Sequence, residues 1–192
     1  MNGKAASRAR LDHDYGMVFQ GPVLFDWRTV EENVALPLEL LGRSAADRAR
    51  RVGELLALVG LSEFAGTRPY ELSGGMQHRV AIARALSFEP GLLLMDEPFG
   101  ALDELTRDRL NDELLGIRAR TGTTILFVTH SIPEAVFVSN RVVVMTPRPG
   151  RVSVVIDVDL PAARDDATRE SERFFALVTQ VREALRGEPA AS

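Results

Sequence analysis

Leu92-Leu93-Leu94-Met95-Asp96-Glu97-Pro98 is a run of four apolar residues that stops at two carboxylates and a proline. Apolar runs without polar alternation typify strands covered on both faces of a parallel sheet. The run therefore predicts a buried strand whose carboxyl end presents Asp96. Ligands of open α/β sheets bind beyond that end. Adjacent strand residues point to opposite sides, so Asp96 and Glu97 are suited to separate tasks. Pro98 biases Glu97 away from helical geometry, which helps to fix its direction.

The flanking sequence extends this pattern in both directions. Downstream, Leu110, Leu114 and Ile117 recur at helical spacing up to the Thr121-Gly122 turn. Residues 123–129 predict a second buried strand, ending at His130. Ser131 to Glu134 has the form of a capping box with Pro133 in the first turn. A further strand over 141–145 is separated by the turn 147–150 from another over 151–158. A tail helix then presents Phe174, Leu177, Val178, Val181 and Leu185 on one side. Upstream, Tyr15–Phe19 predicts a short strand ending at Gln20, with Gly21-Pro22 as its turn. From Val30 the texture is helical, with Pro37 as a kink. Ser44 to Asp47 is an acidic capping box opening a helix with Val52, Leu55, Leu56 and Val59 on one face, closed by Gly60. Another helix is expected from about Gly75 to Leu86. The fold class is therefore α/β, a mainly parallel sheet with a helical section set within it.

Bulk composition narrows the partners. The 192 residues carry a net charge of −4, which gives no electrostatic reason to expect nucleic acid or an anionic membrane. Cysteine is absent, which excludes disulfide and thiolate chemistry. The longest apolar runs, such as ILFV and VVVM, are far too short to span a bilayer. Residues 1–16 are polar and lack the apolar segment of a signal peptide. Lys4 is the sole lysine, so any step that needs a lysine has no other to use.

Several residues can carry chemistry. Asp96 can hold Mg²⁺, directly or through water, as the strand-end aspartate of a nucleoside triphosphatase does. Glu97 can polarise an attacking water. Gln20, at a strand end, can reach a metal or a water with its amide oxygen. His130 is expected on the same sheet edge. Ser73-Gly74-Gly75 opens a helix, where a serine cap and bare backbone N–H groups suit an anion.

In order, a strand ending in glutamine, a helical section, LSGGMQHR, LLLMDEP, GALD and a strand ending in histidine resemble the nucleotide-binding subunit of an ATP-binding cassette (ABC) transporter. The resemblance covers nearly the whole chain and implies a partial P-loop NTPase core with a helical signature subdomain. The implied division is a core of 1–28 with 87–160, a subdomain of 29–86 and a helical tail of 161–192. It also implies ATP and Mg²⁺ as cofactors. Gln20 corresponds to the Q-loop glutamine, Ser73, Gly74 and Gly75 to the signature loop, and Asp96 to the Walker B aspartate. Glu97 corresponds to the catalytic base, Asp103 to the D-loop residue and His130 to the switch histidine. Met76 and His78 depart from the family's frequent glutamines, at positions whose side chains the backbone cradle does not need.

VLFDWRTVEENVALPLEL and VVVMTPRPGRV resemble the importers of the nitrate, sulfonate and taurine type. Trp27 suits either a groove for a permease helix or core packing; TPRPG is also what a plain hairpin turn looks like. The family's lysine loop, G-x-x-x-x-G-K-[ST], does not occur in the sequence, and residues 1–20 resemble the stretch between that loop's helix and the Q-loop. The chain is thus expected to begin inside a domain and to bind ATP negligibly alone. Two functions follow: a transport ATPase, or a non-catalytic, N-terminally truncated remnant or docking subunit that does not bind ATP on its own. The resemblance implies a head-to-tail homodimer, permease subunits, indirectly a solute-binding protein, no nucleic acid, and a cytoplasmic place at the inner face of the membrane. DNA-repair and chromosome ATPases with the same signature carry a long coiled coil between Q-loop and signature; here 20–73 holds only short helices.

Overall fold

The computed structural model describes residues 3–187. It divides into two compact units, Met1–Phe127 and Val128–Ser192. The first contains helix α1 (Ala6–Leu11), strand β1 (Tyr15–Val18), helices α2 (Val30–Leu40), α3 (Ala45–Leu58) and α4 (Gly74–Leu86), strand β2 (Leu92–Asp96) and helix α5 (Glu104–Thr121). Strand β3 (Thr124–Val128) ends at the unit boundary and completes a sheet of order β1-β2-β3. Strands β1 and β2 run parallel, Tyr15 opposite Leu92 and Val18 opposite Met95.

One face of this sheet is closed by helices. Val18, Leu93 and Met95 are buried with Val80, Ile82 and Ala83 of α4 and Leu110, Leu114 and Ile117 of α5. Burying a leucine or methionine side chain stabilises by about 1.5–3 kcal/mol, so this face anchors the first unit. Gly16 makes the approach possible: a Cβ there would lie 2.4 Å from the Ala85 carbonyl oxygen at the end of α4. The other face departs from expectation. Met17 of β1 is 43% exposed and Leu126 and Val128 of β3 are 55% and 50% exposed, while Leu92 and Leu94 of β2 are half-buried, so β3 is not covered on both faces by the described residues and β2 only in part. A continuous apolar run does not distinguish one covered face from two.

The helices begin and end where local chemistry dictates. Thr29 and Glu32 form a reciprocal capping box at the start of α2, which runs through Pro37 to Leu40. Ser44 caps α3 by accepting from the Asp47 N–H, but its own hydroxyl donates to the Asp47 carboxylate, so the expected box is not reciprocal. Gly60 follows α3 at φ 67°, a left-handed position that glycine takes without steric cost. Helices α2, α3 and α4 share a core that includes Val34, Leu55, Leu56 and Val80.

The second unit contains α6 (Ile132–Val138), strands β4 (Arg141–Met145) and β5 (Val152–Asp157), and helices α7 (Asp166–Arg169) and α8 (Glu172–Arg186). Strands β4 and β5 pair antiparallel, so TPRPG forms the turn of a hairpin. Phe174, Leu177, Val178 and Val181 of α8 are buried, whereas Leu185, expected on the same side, is 52% exposed in the last helical turn. At the start of α6 the expected capping box is half made. Ser131 accepts from the Glu134 N–H, but the Glu134 carboxylate turns to accept from the Thr129 hydroxyl.

Candidate functional site

The carboxyl end of β2 carries the acidic pair. Asp96 is exposed there and Glu97 is half-buried. Glu97 has φ 44°, a left-handed backbone that non-glycine residues rarely adopt. The sequence predicts an extended residue before Pro98; the structure instead holds Glu97 in a conformation of the kind that concentrates at active sites. What holds it is a tight turn, Gly100 N–H donating to the Glu97 carbonyl at 3.1 Å, with Phe99 fully buried beneath.

Gln20 meets this turn from the end of β1. Its Nε2 and the Glu97 Oε2 each lie 3.5 Å from the point a Cβ on Gly100 would occupy, so the two side chains flank one spot. Parallel pairing of β1 with β2 brings their carboxyl ends level and makes this meeting possible. Asp96 and Glu97 at the end of β2 and the amide oxygen of Gln20 at the end of β1 are oxygen acceptors. Hard oxygen ligands of that kind suit Mg²⁺, which needs only one or two carboxylates beside water and phosphate. Among the described residues no three acidic, histidine or cysteine side chains cluster into a protein-only metal cage.

The glycine loop opens α4. Ser73 accepts from the Met76 N–H at 3.3 Å, which leaves the N–H groups of Gly74 and Gly75 in the first turn without helical partners. The glycines also serve packing. A Cβ on Gly75 would lie 3.2 Å from the Thr106 methyl, and one on Gly74 3.4 Å from Leu102 Cδ2. Asp103 stands between those neighbours as the cap of α5, accepting from the Thr106 N–H at 3.0 Å. That hydrogen bond holds the Asp103 carboxyl below its ordinary value. The first unit thus gathers Gln20, Asp96 and Glu97 at one edge, and the Ser73 loop beside Asp103. His130 belongs to the second unit, where it is exposed between Thr129 and the Ser131 cap of α6.

The sequence reading passes over Arg84 and Asn33 and sets His78 aside as a side chain the loop does not need, whereas the structure gives each of them a fixed contact. His78 is buried, with Nδ1 2.8 Å from the Gly74 carbonyl oxygen and Nε2 3.2 Å from that of Gln20. Arg84 donates to the Val23 and Pro22 carbonyls at 2.8 and 3.1 Å. Asn33, fully buried, exchanges two hydrogen bonds with the Phe25 backbone and so clamps the loop that carries Trp27. Trp27 itself is 71% exposed and stacks at a tilt on Phe25, which rules out core packing for its ring. The available signal was a polar residue on an otherwise apolar helix face, as for Arg84 within VAIARAL. Lys4 forms ion pairs of 2.9 Å with both Asp12 and Asp14, which raise its pKa from the ordinary lysine value through hydrogen bonding.

Comparison with known proteins bears on the family and the fold. Residues 1–100 match the family model described as ABC transporter. The chain is 47% identical over 190 residues to the taurine import ATP-binding protein TauB of Rhizobium johnstonii, covering 96% of this chain and 72% of that protein. It is 46% identical over 175 residues to an uncharacterized ABC transporter ATP-binding protein of Methanocaldococcus jannaschii, covering 91% of this chain and 64% of the relative. Among solved structures, cbiO1 of Clostridium perfringens, part of the ABC transporter complex cbiONQ, matches with a TM-score of 0.72 at 28% identity. That match covers 80% of this chain and 61% of the solved one, so the chain spans between three-fifths and three-quarters of the length of these relatives. With residues 1–100 matching the family model, a relative 47% identical over 96% of the chain and an α/β fold of the same kind, the chain belongs to the ABC transporter family.

Proposed function

We propose that the chain is the ATP-binding, ATP-hydrolysing part of an importer for a small solute of the taurine, sulfonate or nitrate kind. The observation that supports this best is the meeting of Gln20 and Glu97 around Gly100, with Glu97 held at φ 44°. ATP with Mg²⁺ would supply the phosphoryl group and the divalent charge that neutralises it. Asp96 and the amide oxygen of Gln20 would hold the ion. Glu97 orients a water and accepts its proton, a task suited to a carboxylate fixed by backbone geometry. Ser73, Gly74 and Gly75 donate to the terminal phosphate of a nucleotide held by a second copy arranged head to tail. Asp103 supports that loop through the start of α5, and His130, in the second unit, takes the switch role that the resemblance implies.

The division into a core of 1–28 with 87–160, a helical subdomain of 29–86 and a tail of 161–192 puts the signature loop in the subdomain and Trp27 at the end of the core segment that leads into it. The exposed Trp27 ring offers an apolar edge there for a permease subunit. No described helix is long and apolar enough to cross a membrane, so a peripheral, cytoplasmic position would come through the permease. A solute-binding protein on the far side would select the cargo.

Glu97→Gln in the assembled transporter tests the reading. It is expected to lower kcat by roughly 10²–10⁴ while nucleotide binding persists, the range that general-base catalysis contributes. Hydrolysis at the wild-type rate would sink the role given to Glu97. A second reading, a non-catalytic docking subunit, is favoured by one observation, the engagement of the sole lysine by Asp12 and Asp14. Calorimetry with MgATP on the purified chain tests it, and submicromolar binding overturns it.

A further inference from the structure

The glycine loop and the Q-loop segment are attached to the same helix. His78 lies one turn into α4 and is buried. One ring nitrogen faces the Gly74 carbonyl at 2.8 Å and the other faces the Gln20 carbonyl at 3.2 Å. Its ring also meets Phe99, two residues beyond Glu97, edge-on at 6.1 Å. Near the other end of α4, Arg84 donates through Nη1 to Val23 and through Nη2 to Pro22. Residues 20–23 therefore hang from one helix at two points.

Arg84 donates to two backbone carbonyls, and His78 faces two more, to one of which its ring donates. What the contacts fix is the path of the main chain, whatever side chains stand at 22 and 23. The path needs fixing, because Val23 has φ 45°, an unfavourable conformation for a β-branched residue. The carrier is rigid as well: Gly75, Val80, Ala81, Ile82, Ala83, Ala85 and Leu86 of α4 are all buried, and close-packed helices move as bodies rather than bend.

We propose that His78 and Arg84 are positioning residues that make α4 one carrier for the signature glycines and the Gln20 segment, so that a contact made at Gly74 and Gly75 displaces Gln20 as well. The shortest link runs through a single imidazole, which donates its N–H to one of the Gly74 and Gln20 carbonyls and lies against the other. This inference rests on the function proposed above for what binds at the two loops; the attachment itself does not.

Amide hydrogen exchange of the full chain without nucleotide reads the attachment directly. His78→Met and Arg84→Met are each expected to speed exchange over residues 21–25 about tenfold, while residues 79–86 of α4 keep their protection. His78→Gln and Arg84→Lys retain a donor and are expected to restore most of it. Unchanged exchange at 21–25 in the Met variants overturns the proposal, as does loosening by His78→Gln equal to that by His78→Met. A uniform rise that includes 79–86 overturns it too, since that is general loss of stability. Should the Met variants fail to fold, the wild type still decides. Its three histidines can be resolved by nitrogen-15 NMR, and a slowly exchanging imidazole N–H of His78 is required; its absence overturns the attachment. None of these readouts depends on hydrolysis. A transporter with an inactive Glu97→Gln variant but unchanged exchange would lose this inference alone, and a chain that never hydrolyses ATP could still display it.

Discussion

The two ends of α4 use glycine in opposite ways. At the amino end, Gly74 and Gly75 meet only side chains, Leu102 Cδ2 at 3.4 Å and the Thr106 methyl at 3.2 Å, as a Cβ would find them. At the carboxyl end the close neighbour is Gly16 of β1, where a Cβ would meet the Ala85 carbonyl oxygen at 2.4 Å. Side chains can swing aside; a helical carbonyl cannot. The amino end is therefore a tolerant surface kept bare for N–H groups, and the carboxyl end is a rigid seam between helix and sheet. One end leaves first-turn N–H groups bare and the other locks helix to sheet, yet both are parts of a single 13-residue helix.

The sharpest way to break this contrast is Gly16→Ala. The added carbon would push β1 off α4 and disturb its pairing with Leu93, which is fully buried. Overpacking against backbone is expected to cost about 3 kcal/mol or more, read as a fall in the urea midpoint with little change in slope. A melt within experimental error of wild type would show that the seam can relax. The amino end should respond far less. Ser73→Ala removes the cap that accepts from the Met76 N–H and is expected to cost about 1 kcal/mol, while weakening whatever anion the loop binds. Equal losses at the two ends, measured by the same urea titrations, would erase the distinction.

How much of this was legible in the sequence depends on range. Strand β2, the helix over 104–121 and the Gly60 and Gly122 stops follow from local spacing and turn chemistry, and the structure places them within a residue or two of expectation. The loop Ser73–Gly75 and the pair Asp96–Glu97 were readable because motif chemistry constrains neighbours in the chain. Contacts to backbone carbonyls leave no such trace. His78 reaches Gln20 across 58 residues and Arg84 reaches Val23 across 61, and the receiving atoms are the same in every amino acid. The left-handed Glu97 was hidden for a related reason, since a strand propensity and a following proline both argue for extended backbone. The exposed face of β3 was misjudged because apolar composition records what a side chain tolerates, not what covers it.

The smallest effect sits at the support of the amino end. Asp103 caps α5 and, through Thr106 and Leu102, backs the glycines of the signature loop. Its carboxyl is held below the ordinary aspartate value because the ionised form accepts from the Thr106 N–H. A group depressed in the folded state contributes stability that is complete above its unfolded pKa, about 3.9 for aspartate, and is lost as pH falls through the folded value. The contribution should therefore be intact at pH 7 and fade only below about pH 4. Asp103→Asn keeps a capping oxygen but cannot ionise, so its stability relative to wild type should improve as the solution is acidified through that window. Parallel stability curves for the two proteins from pH 6 to pH 3 would mean that the cap is not made by a carboxylate, and with it would go the view that an ionised Asp103 steadies the recognition end of α4.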